Sequence, residues 1–212
     1  MIAVIRAVFF DFGGVILSSP FDAFASYEQR SGLPRGFLRS VNAADPDTNA
    51  WARLERSEIG IDEFVPIFEA EASGLGHQVD GRQVLACLMG DLRPAMVRAV
   101  EQCSEHFTTA LLTNNFLGAS SGPGHQSRPH DHVLQLFDHI VESSQVGVRK
   151  PDPRFYELAC ALADVSPTDV VFLDDLGINL KPARAMGMTT IKVVDPFVAI
   201  AELSAVVGHD LG

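Results

Sequence analysis

A chain of 212 residues is long enough to bury a substantial apolar interior, either as one large domain or as a core carrying a small insertion. With 47% hydrophobic and 20% charged residues, it reads as a soluble globular protein and not as a disordered one. The balance of 27 acidic to 16 basic side chains, a formal charge of -11, repels a nucleic-acid backbone or an anionic membrane over most of the surface. An anionic ligand would therefore need a local reversal of that field, for which a bound divalent cation is the simplest candidate.

Taken in chain order, residues 1–10 are apolar but too short to span a membrane, and they end in Asp11 where a leader would carry a cleavage site. The β-branched and aromatic run over 4–10 predicts a buried parallel strand that opens into a loop at Asp11, Gly13 and Gly14. Residues 18–91 contain no strong strand, and 21–30, 50–56 and 61–71 read as amphipathic helices, so this stretch is expected to be a helical insertion. A helix over 94–106 follows, with Pro94 in its first turn, then a strand over 109–113 that ends in Asn114 and Asn115. Residues 118–132, rich in Gly, Ser, Pro and His, read as a loop.

Beyond that loop a strand over 139–141 leads toward Lys150, a helix covers 153–163, and a strand over 170–173 ends in Asp174 and Asp175. A helix over 176–186, a strand over 189–194 and a helix over 196–207 complete the series. Strands alternating with helices predict an α/β fold with a Rossmann-like parallel sheet. In open α/β sheets ligands collect at the carboxyl ends of the strands, and all the polar clusters fall there, which implies one site. The three cysteines, Cys87, Cys103 and Cys160, are odd in number, far apart and without a CxxC pair, which suits buried thiols in a reducing compartment. A cytoplasmic protein is expected.

The chemistry rests on a few side chains. A carboxylate at the end of a buried strand, as at Asp11, serves as a nucleophile on phosphorus, as a metal ligand or as both, while the same residue also suits a helix cap or turn. Thr113 and Asn114 offer a hydroxyl, an amide and main-chain N–H groups to phosphoryl oxygens, although the pair is also a common turn signal. Lys150, set beside Pro151 and Pro153, supplies a compact cation. Asp174 and Asp175 are the most informative pair, because adjacent carboxylates at a strand end repel each other unless a cation or donors compensate them, and Mg²⁺ fits a set of hard oxygen ligands.

These segments together have a recognisable order and spacing. DFGGV at 11–15, LLTNN at 111–115, Lys150 with Pro151, and FLDDLGINLKPARAMGM at 172–188 resemble the four motifs of the haloacid dehalogenase superfamily, over nearly the whole chain. ESSQVGVRKP at 142–151 and the stretch 172–188 are most similar to the N-terminal phosphatase domain of soluble epoxide hydrolases. The resemblance implies a core domain of residues 1–17 and 93–212 with a helical cap over 18–92 that closes on the substrate. It also implies a Mg²⁺-dependent phosphatase acting on a small phosphate monoester. Asp11 would be nucleophile and metal ligand, Thr113 and Asn114 phosphate binders with Lys150, and Lys150 the charge stabiliser. Gly13, through its carbonyl, and Asp175 would complete the metal site, with Asp174 a second ligand or an outer partner. Epoxide opening belongs to a separate domain of those proteins and is not expected of this chain.

One position departs from the family pattern. Most phosphatases of the superfamily carry a second aspartate two residues after the nucleophile, which protonates the leaving group and then activates water, and here that position is Gly13. Losing such a group typically costs about 10² to 10⁴ in rate, so a slow phosphatase, or one with a proton donor from elsewhere, is expected. His77, Glu55, Glu58 and Glu63 of the insertion are candidates, each read as a solvated helix or loop residue and none assigned. His125, His130 and His132 with Asp131 suggest a metal cluster, but Pro123, Gly124 and Pro129 break any regular ligand spacing, which favours a solvated loop. Trp51 is expected to pack within the insertion. Two rival functions remain at this level: a phospholigand-binding module without turnover, and a metal-free 2-haloacid dehalogenase, against which the Asp174 and Asp175 pair argues.

Overall fold

The protein is described by a computed structural model over residues 4–114 and 130–212. Ala7–Phe10 (β1) is apolar and fully buried at every position, so it needs a neighbour on each edge and a cover on each face, and it lies at the centre of the sheet. Pro20–Arg30 (α1), Phe37–Ala43 (α2), Ala50–Glu55 (α3), Ile61–Gly74 (α4), Gly81–Ala86 (α5) and Pro94–Ser104 (α6) follow before Thr108–Thr113 (β2). The chain continues through Asp131–Leu134 (α7), His139–Glu142 (β3), Ser143–Val146 (α8), Pro153–Leu162 (α9), Val170–Asp174 (β4), Gly177–Ala185 (α10), Thr189–Lys192 (β5) and Pro196–Val207 (α11). Among the described residues the sheet has the order β3-β2-β1-β4-β5, with every pairing parallel.

Alternation along the strands divides the core in two. Val8, Phe10, Leu111, Val171 and Leu173 face α6 and α11 through Met96, Val100, Ile200 and Leu203. Ala7, Phe9, Leu112, Val141 and Phe172 face α9 and α10 through Phe155, Tyr156, Leu180 and Ala183. Helices on both faces of a parallel sheet give the α/β Rossmann-like architecture that the sequence predicts. Cys103 and Cys160 are buried free thiols, whereas Cys87 is half-buried.

Residues between β1 and α6 are helical and hold a third apolar cluster, built from Phe24, Phe37, Leu38, Leu54, Phe64, Phe68 and Val84. Trp51 packs there against Phe24, Phe64 and Phe68, as expected. The chain leaves and rejoins the sheet side by side: Leu17 and Leu92 form an antiparallel bridge, Ser18 N–H donates to Asp91 O at 2.8 Å, and Arg93 N–H donates to Ile16 O at 2.9 Å. No helix among the described residues is long and apolar enough to cross a membrane.

The clearest differences from the sequence reading are the start of one strand and two short helices. β1 begins at Ala7 and not at residue 4, because its partners start at Thr108 and Val170, leaving Val4 exposed beyond them. α2 and α5 were not anticipated, being short and opening on glycine: Gly36, left-handed at φ 80°, precedes α2, and Gly81 starts α5.

Phe172 is fully buried, edge-on to Tyr156 at 5.7 Å, and its ring lies 5.5 Å beneath the Lys150 ammonium. Phe172→Ala should cost about 3 to 5 kcal/mol in denaturant unfolding, and a loss below about 1 kcal/mol would show that the ring does not support this core.

Candidate active site

The register of the sheet sets the site. Phe10 pairs with Leu111 on one side and Leu173 on the other, and Asp11 N–H then donates to Leu173 O at 2.9 Å, so Asp11 and Asp174 emerge together at the carboxyl ends of β1 and β4. Just after Asp11 the chain turns tightly over Phe12–Ile16, with Leu17 N–H closing on Phe12 O at 2.9 Å. Gly14 takes φ +76° there, a conformation that side chains disfavour. Arg93 clamps the turn from the far end of the insertion by donating to Gly14 O at 2.8 Å.

Lys150 lies between the two strand ends. Its ammonium is 2.9 Å from Asp11 Oδ1 and 2.7 Å from Asp174 Oδ2, and the whole side chain is buried. Asp174 is further held by Leu176 N–H at 2.8 Å and by the Asn179 amide at 3.1 Å to each oxygen. Asn114 fixes the backbone of Lys150 from both sides: its Oδ1 accepts from Lys150 N–H at 2.9 Å, and its Nδ2 donates to Lys150 O at 3.0 Å.

Charge in this cluster is unbalanced. Burial acts to strip Lys150 of its proton, but Asp11 and Asp174 outweigh that and hold its pKa above the usual lysine value. Burial, with Asp174 and Asp175 adding to it, raises the Asp11 carboxyl well above the ordinary range despite Lys150. Asp175, half-buried, is pushed up to about 6 by burial and by Asp174. Oxygens of Asp11, Asp174 and Asp175 lie within 4.8 Å of one another, one from each. Three carboxylates against one ammonium, all oxygen donors, fit a hard divalent ion such as Mg²⁺. Of the two adjacent aspartates, Asp174 already has its oxygens occupied by Lys150, Asn179 and Leu176, which leaves Asp175 the less committed.

The structure thus brings Asp11, Lys150, Asp174 and Asp175 together, with Thr113 buried at the end of β2 beside them. Gly13 sits in the turn at φ −69°, an ordinary conformation, and a Cβ there would meet open space. Asn114, expected to offer its amide to phosphate, gives it to Lys150 instead. Among the described residues, the group of acidic, histidine or cysteine side chains able to hold a metal is the aspartate trio. His130 lies against Phe12, while His125, Pro123, Gly124 and Pro129 fall outside the described residues, as does Asn115.

Glu55 is the residue that sequence reasoning placed wrongly. It is buried and not solvated, because Ser143 Oγ donates to its carbonyl at 2.6 Å and Arg149 Nε lies 3.1 Å from its Oε2. Asn114 Nδ2 is 3.3 Å from the same oxygen, and Trp51 Nε1 donates to Oε1 at 3.1 Å. Burial, only partly offset by Arg149, pushes its carboxyl up to about 7. The one local signal is Trp51 four residues earlier, a helical spacing that puts Glu55 near the apolar face. Glu58 is exposed, Glu63 caps α4 through Gly60 N–H at 3.1 Å, and His77 packs on Phe37. Arg149, Arg93 and Asn179 were not singled out either.

Residues 5–187 match the family model described as haloacid dehalogenase-like hydrolase. A bifunctional epoxide hydrolase 2 of Sus scrofa is 34% identical over 98% of this chain, which spans 40% of that relative's length. A sesquiterpene phosphatase of Aspergillus oryzae is 27% identical, covering 98% of this chain and the whole of that protein. The fold is shared with an enzyme of the same family from Bacteroides thetaiotaomicron, crystallised with magnesium and inorganic phosphate, at a TM-score of 0.59 and 18% identity over 89% of this chain and 93% of that one.

A Cβ at Gly14 would collide with the Asp175 carboxylate, on a backbone that already disfavours one. For a Mg²⁺ ion held by the aspartate trio, Gly14→Ala should therefore weaken binding, read by titration calorimetry, by about 10-fold to 100-fold. Unchanged affinity would show that Asp175 does not face the ion.

Proposed function

This chain belongs to the haloacid dehalogenase-like hydrolases, and on that footing we propose that it is a Mg²⁺-dependent phosphatase that takes a small phosphate monoester through an aspartyl-phosphate on Asp11. The observation that carries the reading is the buried Lys150 ammonium held between Asp11 and Asp174, with Asp175 in the same cluster. A metal-free displacement of halide has no use for three gathered carboxylates, whereas a phosphoryl site needs both the nucleophile and the countercharge. The phosphatase relative covered end to end supports the same choice.

In this mechanism an Asp11 oxygen attacks phosphorus, the bond from phosphorus to the ester oxygen breaks, and its electron pair leaves with that oxygen. Lys150 orients the Asp11 carboxylate and offsets charge as it moves onto the phosphoryl oxygens. The Thr113 hydroxyl and the Asn114 main-chain N–H take those oxygens, while the Asn114 side chain keeps Lys150 in place. Water then attacks phosphorus and returns the Asp11 carboxylate. Mg²⁺, held by Asp11, Asp175 and the Gly13 carbonyl with Asp174 as its outer partner, would supply the positive charge that the site lacks.

We also assign residues 18–92 as a helical cap over a core of 1–17 and 93–212. Its separate apolar cluster and its paired exit at Leu17 and Leu92 support that division.

Asp11→Asn tests the reading. Turnover of para-nitrophenyl phosphate with Mg²⁺ should fall by about 10³-fold or more, on the scale seen when a nucleophile is removed, with the circular dichroism of the folded chain preserved. Undiminished activity would remove Asp11 from the mechanism. Stabilisation of the wild type by Mg²⁺ and phosphate without any turnover would instead mark a binding module.

A further inference from the structure

The mechanism above leaves one proton unaccounted for. An ester oxygen that departs with the bonding electron pair needs a donor unless it is a very weak base, and the attacking water needs an acceptor. Gly13 has neither, although its backbone does not require glycine and space beside it is open. Asp11, Lys150, Asp174 and Asp175 are committed to attack and to charge balance.

The insertion brings an acidic side chain to this end of the sheet. Glu55, at the last position of α3, is drawn down onto the core by Ser143, Arg149 and Asn114. Its Oε2 lies 3.3 Å from Asn114 Nδ2, and Asn114 in turn grips the backbone of Lys150, whose ammonium touches Asp11. Glu55 is thus a buried carboxylate carried on the insertion and joined to the nucleophile through two hydrogen-bonded residues.

We propose that Glu55 is the general acid and base of this phosphatase, supplying from the cap the proton transfer that position 13 does not. It rests on the phosphatase reading. In the first step the bond from Asp11 to phosphorus forms, the bond to the ester oxygen breaks, and that oxygen takes the Glu55 proton as it leaves. In the second step the water oxygen bonds to phosphorus, its proton passes to the Glu55 carboxylate, and the electron pair of the breaking bond returns to Asp11. Both groups end as they began.

The setting of Glu55 suits that work. Burial is the dominant influence on its carboxyl, while Arg149 and Lys150 from the core, Arg56 from its own segment and the Trp51 indole all act to ionise it. The balance, about 7, leaves protonated and ionised forms both populated near neutral pH, which is what an acid that must later act as a base requires. As the folded value lies above the ordinary glutamate range, the acid form is complete at low pH and is lost as pH rises through 7.

The test compares Glu55→Gln with the wild type on two aromatic substrates, benzyl phosphate and para-nitrophenyl phosphate. Benzyl alkoxide cannot depart without a proton, whereas nitrophenolate can, and kcat/KM reports the steps up to that departure. Glu55→Gln should lose about 10²-fold or more in kcat/KM on benzyl phosphate and change little in kcat/KM on the nitrophenyl ester, where only the later hydrolysis slows, and the nitrophenolate burst released there shows that the variant folds. The wild-type kcat/KM for benzyl phosphate should fall as pH rises above about 7, a limb missing from the variant. Equal losses on both esters would reduce Glu55 to a tie between cap and core, and no loss on either would remove it from the reaction. A wild type inactive on both would instead overturn the phosphatase reading.

Discussion

The buried ammonium of Lys150 is the constraint on which the rest of this site depends. A charge removed from water is tolerated only when paired and hydrogen-bonded, and removing one partner of such a pair typically costs about 3 to 5 kcal/mol. Lys150 meets that demand with two carboxylates, from β1 and β4, and so fixes the distance between the ends of two adjacent strands. Those strands pair in parallel through buried apolar residues, and the Lys150 backbone is held by Asn114 just beyond β2. Three strands thereby converge on one cation, and the acidic excess that remains is what suits the site to a divalent ion.

The same arrangement explains why the insertion matters to the chemistry. It leaves and rejoins the core at neighbouring positions, Leu17 and Leu92, so its own apolar cluster forms without disturbing the sheet. Contact with the core is made at the end of α3, where Glu55 meets Ser143 and Arg149. Arg149 adjoins Lys150 in sequence, so the residue that balances the nucleophile and the residue that anchors the insertion follow one another along the chain.

Much of the fold was legible because its signals are local. Short apolar runs that end in Asp11, Asn114 or Asp174, alternating with helical stretches, have the pattern of buried parallel strands, and that alternation forecast the sheet. Gathering Asp11, Lys150, Asp174 and Asp175 needed only the rule that strand ends converge, together with the family resemblance. What escaped were consequences of tertiary contact. Asn114 serves Lys150 through a carboxamide that spans 36 positions, and Asn179, inside a recognised motif, pins Asp174 from one turn into α10. Glu55 reads as a solvated helical glutamate until Ser143, 88 positions away, draws its helix onto the core. Short α2 and α5, opening on glycine, carry too little periodicity to be seen.

The bond between Asp11 and phosphorus is read directly by mass spectrometry of the intact protein. The enzyme is mixed with para-nitrophenyl phosphate and Mg²⁺ and quenched in acid at successive times within one turnover. One phosphoryl group should be gained transiently and map by fragmentation to Asp11. A phosphoryl group on any other side chain, or a turnover completed with unmodified enzyme at every time, contradicts an aspartyl-phosphate on Asp11.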